Sequence, residues 1–149
     1  MSLSMHSISI PVFTRQLTNL STILGIAAAN AEARKIEQSV LLNSRLAPDM
    51  FPLSRQVQIA CDTVKAGAAR LAGVEAPGHA DDETSFADLQ ARIAKTLEFV
   101  QTISAAQLDG SDARTVTRRR PGAKIASDPA GGRAGPPAGR AGSGTERRR

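Results

Sequence analysis

The sequence predicts an all-α protein: an antiparallel up-down helical bundle of three long helices, followed by a disordered tail. Three observations predict it. Aromatic residues make up 3% of the chain, with four Phe and no Trp or Tyr, so the core must be aliphatic, which suits packed helices better than a β-sandwich. Apolar side chains recur at helical spacing in three stretches. The composition then breaks abruptly near residue 112. A length of 149 residues fits one compact core.

The first stretch is Ile10, Phe13, Leu17, Leu20, Leu24, Ala27 and Ala31, spaced alternately three and four residues apart as in a core-facing helix. Pro11 has no N–H and fits the first turn, so the spacing places this helix from about Ser9 to about Lys35. The second stretch is Leu53, Val57, Ala60, Val64, Ala68 and Leu71, with Ser54 or Pro52 marking its start, Gly73 its end, and Pro77 preventing resumption. Gly67 inside it suggests a close helix contact. The third stretch is Phe86, Leu89, Ile93, Leu97 and Val100, preceded by Asp81-Asp82-Glu83, whose carboxylates favour a helix N-terminus. Ser85 and Asp88 have the spacing of a capping box, and the helix should fade near Ser104. Between the first two helices, Glu37 to Leu46 suggests a short helical turn, with Pro48 and Pro52 bracketing a corner. Short connections favour antiparallel neighbours, because parallel ones need longer crossovers.

The formal charge of +5 is unevenly divided. Residues 1–112 hold nine Lys and Arg against twelve Asp and Glu, a balance of −3, whereas residues 113–149 hold ten against two, a balance of +8. That last segment is rich in Arg, Gly, Ala and Pro, with Val116 and Ile125 as its large apolar side chains, too few to offset the entropy of folding. It reads as disordered. No apolar run approaches the ~20 residues of a membrane span. The single cysteine forms no internal disulfide, and the N-terminus shows no basic region with a secretory core, so a cytoplasmic protein is expected.

The wording Ser9-Ile10-Pro11-Val12-Phe13, Arg45-Leu46-Ala47-Pro48-Asp49-Met50-Phe51-Pro52-Leu53, Gln56-Val57, Asp82-Glu83-Thr84 and Ala91-Arg92-Ile93-Ala94-Lys95-Thr96 resembles an uncharacterised bacterial family of domains of unknown function. That family is placed near the DinB/YfiT-like four-helix bundles, some of which are metal-dependent thiol transferases. The resemblance covers residues 1 to about 112 and implies an incomplete bundle of that type. Relatives continue into an aromatic-rich fourth helix, which this chain replaces with its Arg/Gly/Ala/Pro tail, as expected of a truncated or frameshifted member. An absent fourth helix would leave an apolar groove, which a homodimer would fill.

The resemblance also raises the question of a metal, because related bundles hold a divalent ion with three histidines. This chain has two, His6 ahead of the first helix and His79 in the loop after Pro77, so a three-histidine site is excluded by count. Asp49, Asp81, Asp82 and Glu83 offer oxygens, but an acidic helix start explains them without a metal. Cys61, one turn from Lys65, reads as a small core residue more readily than as a nucleophile. Arg45 and Asp49, flanking Pro48, are expected either to bind a polar ligand or, as the favoured reading, to pair with each other and cap the second helix, and Arg92 and Lys95 to form a solvated edge of the third. Arg118-Arg119-Arg120 and Arg147-Arg148-Arg149 would contact nucleic acid or an anionic surface weakly and nonspecifically.

No catalytic, cofactor or metal residue is therefore assigned, and no cofactor is implied by the residues. The first reading is a helical-bundle protein without catalytic activity. The alternative is a module that binds polyanions through its tail, and the third is a metal- or thiol-dependent transferase, by analogy with the family alone.

Overall fold

Ser4 opens the first helix, α1 (Met5–Ala33), with its Oγ accepting from the Ser7 amide at 3.1 Å and its carbonyl accepting from Ser7 Oγ at 2.8 Å. The structure, a computed structural model, describes residues 4–116. The expected disordered tail lies outside those residues from Thr117 onward.

The start of α1 corrects the expectation from Pro11. The helix begins at Met5, not near Ser9, and holds Pro11 in its second turn. The Ser4 cap occupies an amide of the first turn, and the missing Pro11 amide leaves only the carbonyl of exposed Ser7 without its helical donor. His6, expected ahead of the helix, is consequently part of its first turn. The core stripe is as expected: Ile10, Leu17, Leu24 and Ala31 are buried, with Phe13, Leu20 and Ala27 half-buried beside them. At the far end Lys35 takes a left-handed φ of 54°, and the Ile36 amide donates to the Ala31 carbonyl at 2.8 Å, which closes the last turn.

A short helix α2 (Gln38–Leu42) and a proline corner lead to α3 (Leu53–Ala72), which Pro52 caps and Gly73 ends in the left-handed conformation at φ 69°. The third long helix is α4 (Phe86–Gln101). Its capping box is present, with Ser85 Oγ accepting from the Asp88 amide at 3.1 Å and Asp88 Oδ2 accepting from the Ser85 amide at 2.9 Å. The chain does not run on helically to Ser104 but breaks and resumes as α5 (Ala105–Leu108), followed by a 3-10 turn at Ser111–Ala113. Arg114 then donates to the Leu71 carbonyl at 3.1 Å.

Two apolar clusters fix the directions of the helices. One joins Leu17, Leu24 and Ala31 to Leu42, Val57, Cys61, Phe86, Leu89 and Ile93. The other joins Ile10 to Ala68, Val100, Ile103 and Leu108. The end of α1 therefore meets the starts of α3 and α4, and its start meets their ends, so α1 runs antiparallel to both. It follows that α3 and α4 lie side by side in the same direction, unlike the simple up-down order expected. The connection from Gly73 to Ser85 permits this: α3 is about 30 Å long at ~1.5 Å per residue, and a strap of this length extends past ~40 Å. Helix α4 is central, packed on α1 and on α3, whereas α1 and α3 touch each other far less.

Candidate functional site

The parallel packing of α3 and α4 leaves a seam that the returning strap covers, and the polar residues of the protein converge there. Arg92 of α4 is 3% exposed at its centre. Its Nη1 donates to Glu83 Oε1 at 2.7 Å and to the Ala80 carbonyl at 2.8 Å. Its Nη2 lies 3.0 Å from both Asp62 Oδ1 and Asp81 Oδ1. Three of the terminal guanidinium hydrogens are thus bonded, one by Glu83, one by the strap backbone at Ala80 and one by Asp62 of α3, Asp81 adds an ion pair, and the buried Nε has no partner among the described residues. Around this centre Gln58 donates to Glu83 at 2.8 Å, Lys65 pairs with Asp62 at 3.1 Å, and Arg55 pairs with Asp81.

Burial would lower the Arg92 pKa, but the hydrogen bonds and attraction of Glu83 and Asp62 outweigh it and hold the guanidinium charged. Burial would likewise raise Glu83 and Asp62. Hydrogen bonds from Arg92 and Gln58 to Glu83, and from Lys65 and Arg92 to Asp62, instead keep both carboxyls below their usual range. His79 on the strap is pushed down by burial and by the Lys65 and Arg92 cations.

Beneath the cluster Cys61 is fully buried, and burial pushes its thiol pKa up. The thiol is therefore kept protonated, and Lys65 is paired with Asp62 instead of activating it. Beside the cluster, a cleft of about 400 Å³ is lined by His79, Asp82, Glu83, Asp88, Arg92 and Lys95.

Several expectations change here. Arg92 is not on a solvated edge, though its neighbour Lys95 is exposed. Asp81 and Glu83 do not act at the α4 N-terminus but hold Arg92, and the carboxylate at the helix start is Asp88. Arg45 does not pair with Asp49: its Nη1 reaches the Pro48 carbonyl at 3.4 Å, and both side chains are exposed. The cap of α3 is Pro52. The signal that would have exposed Arg92 is its place between Leu89 and Thr96 on a helix buried against two neighbours, an arc wider than one stripe.

His6 lies in the first turn of α1 and His79 on the strap. Among the described residues no group of three His, Cys, Asp or Glu is placed to hold a metal ion, so the residues do not fit the three-histidine site of the related bundles. No helix among them is long and apolar enough to cross a membrane.

Three long helices with a strap across a parallel pair define a DinB-like helical bundle. The fold is similar to the crystal structure of a DinB family member protein from Shewanella denitrificans, with a TM-score of 0.68 and 46% sequence identity over 71% of this chain. The chain spans 61% of the length of that protein. The family described as "Domain of unknown function (DUF1993)" matches residues 5–130, and the chain belongs to it. The match runs past the compositional break near residue 112. No curated protein matches the chain.

Proposed function

We propose that the chain is a non-catalytic bundle protein that works as an interaction module, through an exposed apolar surface. The observation that carries this reading is the exposure of Leu46 at 93%, Ile26 at 67%, Ile23 at 60%, Phe51 at 59% and Val40 at 57%. These residues lie on or within a turn of a pocket of about 500 Å³ lined by Ala27, Leu41, Leu46, Met50, Phe51 and Leu53. A soluble surface rarely gathers so many large apolar side chains without a partner. The polar cluster supports the same reading from the other side. The Arg92 charge is matched by Glu83, Asp62 and Asp81 inside the protein, and Cys61 is buried as a thiol. A free thiol at Cys61 also fits a cytoplasmic setting.

Two measurements test this. A hydrophobic dye should fluoresce with the native chain, and Leu46→Glu with Phe51→Ser should abolish most of that signal while leaving the helical circular dichroism intact. Titration with zinc or nickel should show no tight stoichiometric binding. A tight metal site with thiol-transfer activity would overturn the non-catalytic reading.

A second reading rests on the +8 balance of residues 113–149: weak polyanion binding through Arg118–Arg120 and Arg147–Arg149. Heparin should retain the chain at ~50 mM salt and release it steeply as salt rises. Replacing those six arginines with serine should abolish retention, and an unchanged elution would exclude the tail.

A further inference from the structure

We infer that the pocket under the proline corner binds a single-chain carboxylate amphiphile, with the alkyl chain in the pocket and the head on Arg45. This names the partner of the apolar surface proposed above and rests on that reading.

The pocket is preformed by backbone bonds. The Leu53 amide donates to the Ser44 carbonyl at 3.0 Å, which ties the two ends of the corner together, and the Met50 amide donates to the Ala47 carbonyl at 3.0 Å to make a turn inside it. Pro48 and Pro52 fix two further backbone angles. Gln56 of α3 donates to the Phe51 carbonyl at 3.4 Å, which seats the corner on the helix. A loop closed in this way has little left to order when a ligand enters. Its Leu46, Met50 and Phe51, with Ala27 of α1 and Leu41 of α2, line a space of about 500 Å³, the size of sites that hold one small molecule.

The charge pattern selects the ligand. Arg45 is the one charged side chain among the residues that line the pocket. Its Nη1 makes a long contact of 3.4 Å with the Pro48 carbonyl, and its other guanidinium hydrogens have no partner among the described residues. The neutral groups of the lining are already engaged: Ser44 Oγ donates to the Val40 carbonyl at 2.6 Å and Gln56 Nε2 to Phe51. One cation at the edge of an apolar hollow matches one anion at the end of an apolar chain, and a guanidinium takes a carboxylate through two parallel hydrogen bonds. A cationic amphiphile would meet repulsion there, and a neutral one would leave the guanidinium unused. The alkyl chain would also cover the exposed Leu46 and Phe51.

Isothermal titration calorimetry of the full chain with octanoate, decanoate and dodecanoate, each below its micellar concentration, should show one site per chain. Affinity should rise about fourfold per added methylene. Decanol should bind about fivefold more weakly than decanoate, and decyltrimethylammonium more weakly still. Arg45→Gln, at an exposed position, should remove the preference for decanoate over decanol and leave decanol binding and the circular dichroism unchanged. Arg45→Lys should keep most of that preference.

Affinity that does not grow with chain length, many molecules bound per chain, or equal binding of the carboxylate, the alcohol and the ammonium would overturn the assignment. So would an Arg45→Gln variant that keeps the full preference or loses both ligands alike. If no decanoate binds while Leu46→Glu with Phe51→Ser still abolishes the dye signal, the ligand is wrong and the apolar-surface reading stands. If that double variant leaves the dye signal unchanged, the reading beneath the proposal fails instead.

Discussion

Arg92 Nη1 and Glu83 Oε1 lie 2.7 Å apart with side chains only 2% and 8% exposed, and through this contact α4 holds the strap that makes a parallel α3–α4 pair possible. A buried ion pair is sensitive to loss of one partner, because the survivor keeps its desolvation cost without its counter-charge.

Arg92→Met leaves Asp62, Asp81 and Glu83 crowded without their shared cation. It should cost about 3–5 kcal/mol of folding stability, read as a lower midpoint in urea denaturation. Adding Glu83→Gln should recover part of that loss, because the two residues belong to one network and their effects do not add. Additive losses would show that the pair is not coupled.

The cluster also sets a pH dependence with two steps. His79 is held below its usual 6.5 by burial and nearby cations, so the unfolded chain takes up this proton first, and stability should begin to fall as pH drops through 6.5. Glu83 and Asp62 are held below their ordinary 4.5 and 3.8, so their contribution is complete above those values and is lost as pH falls beneath them. Urea midpoints from pH 8 to pH 3 should show both declines. His79→Asn should remove the upper one alone.

Ser85→Ala removes the cap that accepts from the Asp88 amide. It should cost about 0.5–2 kcal/mol, measured by thermal unfolding, and should speed amide exchange in the first turn of α4 relative to its centre.

Two glycines in or after α3 should respond in opposite ways. A Cβ at Gly67 would meet Phe13 at 3.7 Å, ordinary contact, so Gly67→Ala should stabilise the helix by about 0.4–1 kcal/mol. The helix contact is real, but it does not demand glycine. Gly73 sits at φ 69°, and a Cβ there would lie 2.7 Å from Arg114 Nη1. Gly73→Ala should therefore destabilise, by about 1 kcal/mol or more. Equal shifts in melting temperature for the two would contradict the geometry.

Cys61 should be unreactive toward a thiol reagent in the native protein at pH 8 and should react fully once the chain is unfolded, because its thiol is buried and its pKa pushed up. Rapid native labelling would place the residue at the surface.

The three long helices, their core stripes and the Ser85–Asp88 capping box were legible in the chain because each depends on spacing over a few residues, which periodicity and caps report directly. The left-handed end at Gly73 was legible for the same reason. The true start of α1 was not, because a proline fixes one amide but does not forbid a turn before it that another residue caps. The Arg92 cluster was also hidden. Arg92, Asp62, Asp81 and Glu83 look like ordinary surface charges in one dimension, and their burial depends on α3 and α4 running in the same direction under the strap. Local sequence determined which segments are helical and which faces they bury. The tertiary structure alone decided how those helices are oriented and which charges meet, since direction and pairing arise from contacts between residues far apart in the chain.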